Sequence, residues 1–177
     1  MELKTREQLD ANIACCTKAL EGKLNGENGT RAVILCGGTG CLSSHSDEIT
    51  ARFRELIAEK GLADTISVNQ VGCFGFCSQG PFVKIFPENT LYRLVQIEDV
   101  AEIVETDLIG GEVVERLLYV DPTTNEKVQR QEDIEFYKKQ RRIALHGCGV
   151  MNPEDISEAL GEGAFQGIKR ALTMTPK

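Results

Sequence analysis

Leu9, Ile13, Cys16 and Leu20 stand three or four positions apart with small or polar residues between them, a spacing that predicts an amphipathic helix over residues 5–22. Thr5 followed three positions later by Gln8 supplies the start signal of a capping box, and Gly22 supplies a stop. After a polar loop at 25–30, the run Ala-Val-Ile-Leu-Cys at 32–36 has the length and apolarity of a buried strand. Helical spacing returns over 46–60, with Ile49, Phe53, Leu56 and Ile57 on one face, Ser46 as cap and Gly61 as terminator. Residues 65–71 alternate as a half-buried strand. Residues 82–86 and 91–95 flank the turn Pro87-Glu88-Asn89-Thr90 and predict a hairpin. A last helix over 97–108 turns Ile97, Val100, Ile103 or Val104, and Leu108 inward and stops at Gly110-Gly111.

The first two strands are joined by a helix, and such a crossover is right-handed and makes them parallel. Their carboxyl ends therefore share one edge of the sheet. Both strands run into loops rich in cysteine and glycine. Cys36 and Cys41 form C-x4-C around Gly37, Gly38 and Gly40; after 31 intervening residues, Cys73 and Cys77 form C-x3-C, with Gly72 and Gly75 beside them. The topology brings the two pairs together in a setting of Leu42, Phe74, Phe76, Pro81 and Phe82.

Several chemistries fit a glycine-rich loop after a strand. A phosphate cradle uses converging backbone N–H groups, but no G-x-G-x-x-G opens the following helix and no Walker lysine follows. A thioredoxin-type dithiol needs C-x-x-C, which is absent. Zinc favours C-x2-C knuckles, often with histidine. The wider glycine-lined spans suit a [2Fe–2S] cluster, which takes two thiolates on each iron and N–H donors toward sulfur. Gly37, Gly38, Gly40, Gly72 and Gly75 would let backbone amides approach without a Cβ in the way. Cys15 and Cys16 fall within the first helix and are poor ligand candidates. Cys148, with His146 near it, offers too few ligands for a site of its own, and His45 reads as a surface or outer-sphere residue.

Composition narrows the setting. In 177 residues there is room for a full domain and an appendage, and a net charge of −7 argues against nucleic acid. The basic run at 138–142 reads as the solvated end of a helix. The charged amino terminus and the lack of any run near the ~18 apolar residues of a membrane span imply a cytoplasmic protein without direct membrane insertion.

The C-x4-C and C-x3-C loops, and the tract VGCFGFCSQGPFVKIF with its Gly-Pro and following strand, resemble the thioredoxin-like [2Fe–2S] ferredoxins, a family that includes the small NADH dehydrogenase subunit of complex I. The resemblance covers about residues 30–108. It implies an α/β thioredoxin-like ferredoxin fold, a mixed four- to five-stranded sheet with flanking helices. It also implies that Cys36 and Cys41 bind one iron, and Cys73 and Cys77 the other.

A second resemblance begins at Phe136: the segment FYKKQRRIALHGCG and then MNPEDI look like the opening of the NADH-binding flavoprotein subunit of complex I. Similar subunits occur in NAD(P)-reducing and electron-bifurcating hydrogenases and in formate dehydrogenases. This divides the chain into a ferredoxin domain at 1–110, a connector with a possible hairpin at 111–135, and the beginning of a flavoprotein module at 136–177. Two short helices are expected at 153–160, capped by Asn152, and at 165–172. FMN, NAD(P) and [4Fe–4S] binding are expected only beyond residue 177 or in partner subunits, so the chain reads as an electron carrier without a catalytic site of its own. The implied function is one-electron relay in an NAD(P)(H)-dependent oxidoreductase, with iron-sulfur and flavin subunits as partners. A free-standing ferredoxin and a structural zinc module are the alternatives.

Overall fold

The computed structural model describes residues 5–171 together with residues 174 and 175. Helix α1 (Arg6–Asn25) opens on the capping box: Gln8 N–H donates to the Thr5 hydroxyl, and Thr5 N–H to the Gln8 carboxamide, both at 3.2 Å. It runs past Gly22, because Gly26, at φ 69°, takes the left-handed conformation and its N–H closes the helix on the Gly22 carbonyl. Strand β1 (Arg31–Cys36) follows. After the short turn of helix α2 (Thr39–Leu42), α3 (Ser46–Glu59) crosses over to β2 (Ile66–Val71). The residue before α3 is His45, at φ 62°, and Ser46 is buried in the first turn instead of capping it. Gly61 does close this helix, at φ 69°.

β1 and β2 pair in parallel from Arg31 opposite Ile66 to Cys36 opposite Val71. β3 (Val83–Phe86) lies antiparallel on the other side of β1, and β4 (Thr90–Tyr92) antiparallel to β3, giving the order β2-β1-β3-β4. The sheet is mixed and four-stranded, with helices flanking it. Alternation along β1 divides its side chains between two cores. Val33 and Leu35 pack with Ile49, Phe53 and Ile57 of α3 on one face, and Ala32, Ile34 and Cys36 pack with Phe74, Phe82 and Phe86 on the other.

The helix predicted at 97–108 starts later, as α4 (Asp99–Glu102), and widens into a π-helical stretch, Ile103–Ile109. Val100, Ile103, Val104 and Leu108 are buried, whereas Ile97 is exposed. Asp107 is buried too, and it receives Arg31 and the Tyr92 hydroxyl, each at 2.5 Å. The chain then forms the short hairpin β5 (Tyr119–Val120) and β6 (Lys127–Val128). This hairpin hangs on β4, since Arg93 N–H donates to the Leu117 carbonyl and Leu91 N–H to the Gln129 carbonyl, both at 2.9 Å.

Among the described residues three short α-helices follow: α5 (Glu135–Lys138), α6 (Ile156–Gly161) and α7 (Gln166–Ala171). The cap of α6 is Asp155, whose carboxylate accepts the Ser157 N–H at 2.8 Å. Asn152 instead holds the Glu154 N–H, so the helix predicted from residue 153 begins three positions later. The predicted end of the last helix, residue 172, lies outside the described residues. α6 packs on α1 at Gly161, where a Cβ would stand 2.9 Å from the Cys16 carbonyl oxygen. Lys23 and Glu158 pair across the contact at 2.5 Å.

Candidate metal centre

The parallel pairing of Cys36 with Val71 ends both strands at the same level, so the two loops leave the sheet side by side. Gly37 N–H ties them together by donating to the Val71 carbonyl at 2.8 Å. Cys36 closes β1, Cys41 follows in α2, and Cys73 and Cys77 occupy the loop after β2. Cys36 and Cys41 are buried, Cys73 is half-buried and Cys77 is exposed. The Sγ atoms of Cys73 and Cys77 are 3.8 Å apart. Among the described residues no three Cys, His, Asp or Glu side chains gather closely enough for a single metal ion; the thiols are instead arranged as two neighbouring pairs.

Backbone amides point at these sulfurs. Gly75 N–H donates to Cys73 Sγ at 3.3 Å. The Cys41 thiol donates to Cys36 and lowers its pKa to about 6, against the opposing effect of burial; the amides of Phe74 and Gly38 reinforce the shift. Cys41 is pushed strongly upward because it is the donor to Cys36 and because it is buried, although the Phe82 amide opposes this. Burial also raises Cys73. The sulfurs thus share protons they would surrender to a cation, since metal binding requires thiolates.

Close packing restricts what can stand beside the thiols. A Cβ on Gly38 would lie 3.1 Å from Cys73 Sγ, and one on Gly40 3.9 Å from Cys77 Sγ. A Cβ on Gly80 would lie only 2.6 Å from Cys41 Sγ. Gly80 lies outside the C-x3-C pair, as the glycine of the Gly-Pro that follows it, and spacing gave no signal of this contact. Gly72 faces Cys148, whose Sγ is 3.1 Å from the position of a Cβ there.

Phe74 and Phe82 are buried with ring centres 5.7 Å apart, and Pro81 is buried with them. Phe76 stacks on Phe136 at 4.4 Å. Leu42, expected in this apolar surround, is exposed. Cys15 is exposed on α1 and Cys16 buried beneath it. His45 is at the surface, 2.7 Å from Glu48, and His146 lies 3.3 Å from Glu162.

The residues after 134 also reach the site, which the motif spacing did not indicate. The Tyr137 hydroxyl and the Arg142 guanidinium both donate to the Phe74 carbonyl, at 3.1 and 2.6 Å. Phe74 lies between Cys73 and Gly75, so the tail of the chain grips the second cysteine loop.

A mixed α/β sheet with four thiols on two adjacent loops at one edge defines a class of cysteine-bearing α/β domains. Residues 25–107 match the family model described as thioredoxin-like [2Fe-2S] ferredoxin. The chain is 47% identical over 77 residues to a 2Fe-2S ferredoxin of Clostridium pasteurianum, covering 44% of this chain and 76% of that protein. The solved thioredoxin-like [2Fe-2S] ferredoxin of Aquifex aeolicus is 36% identical, with a TM-score of 0.47 over 50% of this chain and 88% of that one. A shorter match, 44% identical over 39 residues, links 22% of this chain to 8% of the NADP-reducing hydrogenase subunit HndC of Solidesulfovibrio fructosivorans. The chain belongs to the thioredoxin-like [2Fe–2S] ferredoxins, a family of electron-transfer proteins. Among the described residues no helix is long and apolar enough to cross a membrane.

Proposed function

We propose that Cys36, Cys41, Cys73 and Cys77 hold a [2Fe–2S] cluster through which the chain passes single electrons, as the relay domain of a flavin- and NAD(P)-linked oxidoreductase of the hydrogenase type. The observation that carries this reading is the meeting of two thiol pairs on loops from adjacent parallel strands. The donor set fits the group. Four thiols serve two metal ions in pairs, Cys36 with Cys41 and Cys73 with Cys77. The amides of Gly38, Phe74, Gly75 and Phe82 stabilise negative sulfur. The small residues Gly38 and Gly80 leave room where a Cβ would crowd sulfur. A cluster bound there supplies one-electron chemistry, its iron alternating between ferric and ferrous.

The protein's part is to hold the thiolates and exclude water. Phe74 and Phe82 cover the buried side of the site, while the exposed Cys77 marks the edge that a partner's redox centre would approach. The hydrogenase context is supported by the partial match to HndC and by the likeness of residues 136–156 to a flavoprotein opening. FMN, NAD(P) and any [4Fe–4S] centre would belong to other parts of such an assembly. A second reading, a free-standing ferredoxin, is favoured by the 76% of the clostridial ferredoxin that the chain covers.

Anaerobic purification tests the site. Iron and acid-labile sulfide in equal amounts, a red-brown colour and an EPR signal on reduction are expected; colourless protein with stoichiometric zinc overturns the reading. Cys36→Ser and Cys77→Ser should lose or severely perturb the cluster, whereas Cys15→Ser should retain full iron. Co-purification of the chain with flavin-containing subunits distinguishes a relay from a free ferredoxin.

A further inference from the structure

We infer that Arg142 and Tyr137, both outside the stretch matched by the ferredoxin family, tune the second cysteine loop through one peptide unit, the bond from Phe74 to Gly75, and so raise the reduction potential of the site. This rests on the cluster assignment above.

The carbonyl of that peptide accepts two hydrogen bonds, from the Arg142 guanidinium at 2.6 Å and from the Tyr137 hydroxyl at 3.1 Å. Its N–H, pointing the opposite way, donates to Cys73 Sγ at 3.3 Å. A donor that pulls on the carbonyl oxygen polarises the whole amide and strengthens the N–H as a donor, and a charged donor does so more than a neutral one. The guanidinium thus acts on the sulfur through the peptide as well as through space. The amide on the other side of Phe74, its own N–H, is directed at Cys36, so the two amides flanking the clamped residue serve both loops.

The clamp is held from several directions. Arg142 lies over the Tyr137 ring at 5.1 Å, and its second amino group donates to the Cys148 carbonyl at 3.0 Å. Both of its hydrogen bonds end on neutral carbonyls, so neither neutralises its charge. Gly149, at φ 79°, passes so close to Phe74 that a Cβ there would be 3.1 Å from the ring. Tyr137 is buried, and its hydroxyl is kept protonated with a pKa pushed up to about 12, chiefly by burial. It therefore remains a donor across the physiological range. Adding an electron makes the site more negative, and a nearby positive charge with stronger N–H···S bonds favours that state.

The experiment is a potentiometric titration followed by EPR on the full chain, with iron and sulfide measured in each sample. Arg142→Gln should lower the midpoint potential, Tyr137→Phe should lower it by less, and Arg142→Lys should recover part of the loss because the charge returns without a guanidinium that bridges the Phe74 and Cys148 carbonyls. The g values should shift in the glutamine variant, reflecting the changed bond at Cys73. Full cluster content with an unchanged midpoint in Arg142→Gln overturns the inference while leaving the cluster assignment standing. Should Arg142→Gln lose iron, Tyr137→Phe decides, and an unchanged midpoint there also overturns it. Wild-type protein that takes up no iron and sulfide refutes the cluster assignment, and this inference with it.

Discussion

Gly80 shows how one residue can constrain the site without belonging to its motif. Its φ, −80°, is open to any residue, so its requirement is spatial: a Cβ would meet Cys41 Sγ at 2.6 Å. Gly80→Ala should therefore force a shift costing about 1–3 kcal/mol, with less iron retained after anaerobic reconstitution. Gly167→Ala, with nothing near its Cβ, should keep full iron. Lys84 carries a different constraint. It is only 6% exposed, donates to the Gln131 side chain at 3.2 Å, and has its pKa lowered to about 8, chiefly by burial, with Glu132 opposing and Arg142 adding to the effect. Between about 8 and the ordinary 10.5 the unfolded chain binds this proton more tightly than the native one, so stability contributed at this position rises with pH across that window. The penalty is fully present below the window. Denaturant unfolding of wild type and Lys84→Met should show wild type gaining on the variant from neutral pH toward pH 10, and a constant difference would contradict the shift.

The elements are fastened by buried polar groups as well as by apolar packing. The Tyr92 hydroxyl donates to Asp107 at 2.5 Å and accepts the Val114 N–H at 3.1 Å, while Arg31 pairs with the same carboxylate. This joins β4, the π-helical stretch, β1 and the start of the connector around one buried anion. Tyr92→Phe keeps the ring and strands the partners, so a loss of about 1–3 kcal/mol is expected from thermal or denaturant unfolding. The cysteine loops, by contrast, leave the opposite end of β1 from Arg31 and should respond little. The element pattern was legible where periodicity and caps agreed, as in α1 with Thr5 and Gln8. It failed at boundaries decided by competition between caps: Gly26 over Gly22, Asp155 over Asn152, and His45 before Ser46.

At the scale of the whole molecule, residues beyond the family match at 25–107 are packed into the same cores as the matched ones. Val114, Leu117 and Leu118 lie in the same core as Phe53 and Val100, and Ile134 and Tyr137 lie in the other core with Cys36 and Phe74. A chain ended at residue 110 loses Val114, Leu117, Leu118, Ile134 and Tyr137 from the two cores, together with the partners of β4. One ended at 134 loses only Tyr137 of these five and uncovers the Phe74 carbonyl. Denaturant midpoints should therefore fall from the full chain to 1–134 and again to 1–110; equal midpoints would mean that these contacts contribute nothing to stability.

By itself the sequence determined the order of the sheet strands and of the helices other than the one-turn α2 and α5, the parallel βαβ unit and the two cysteine pairs, because hydrophobic period and ligand spacing are local properties that survive translation into structure. Tertiary structure alone decided the contacts between distant segments: Gly80 against Cys41, Cys148 against Gly72, and Arg142 with Tyr137 on the Phe74 carbonyl. No spacing rule encodes these, since they depend on how the tail folds back across the sheet edge and which backbone group it finds unpaired there.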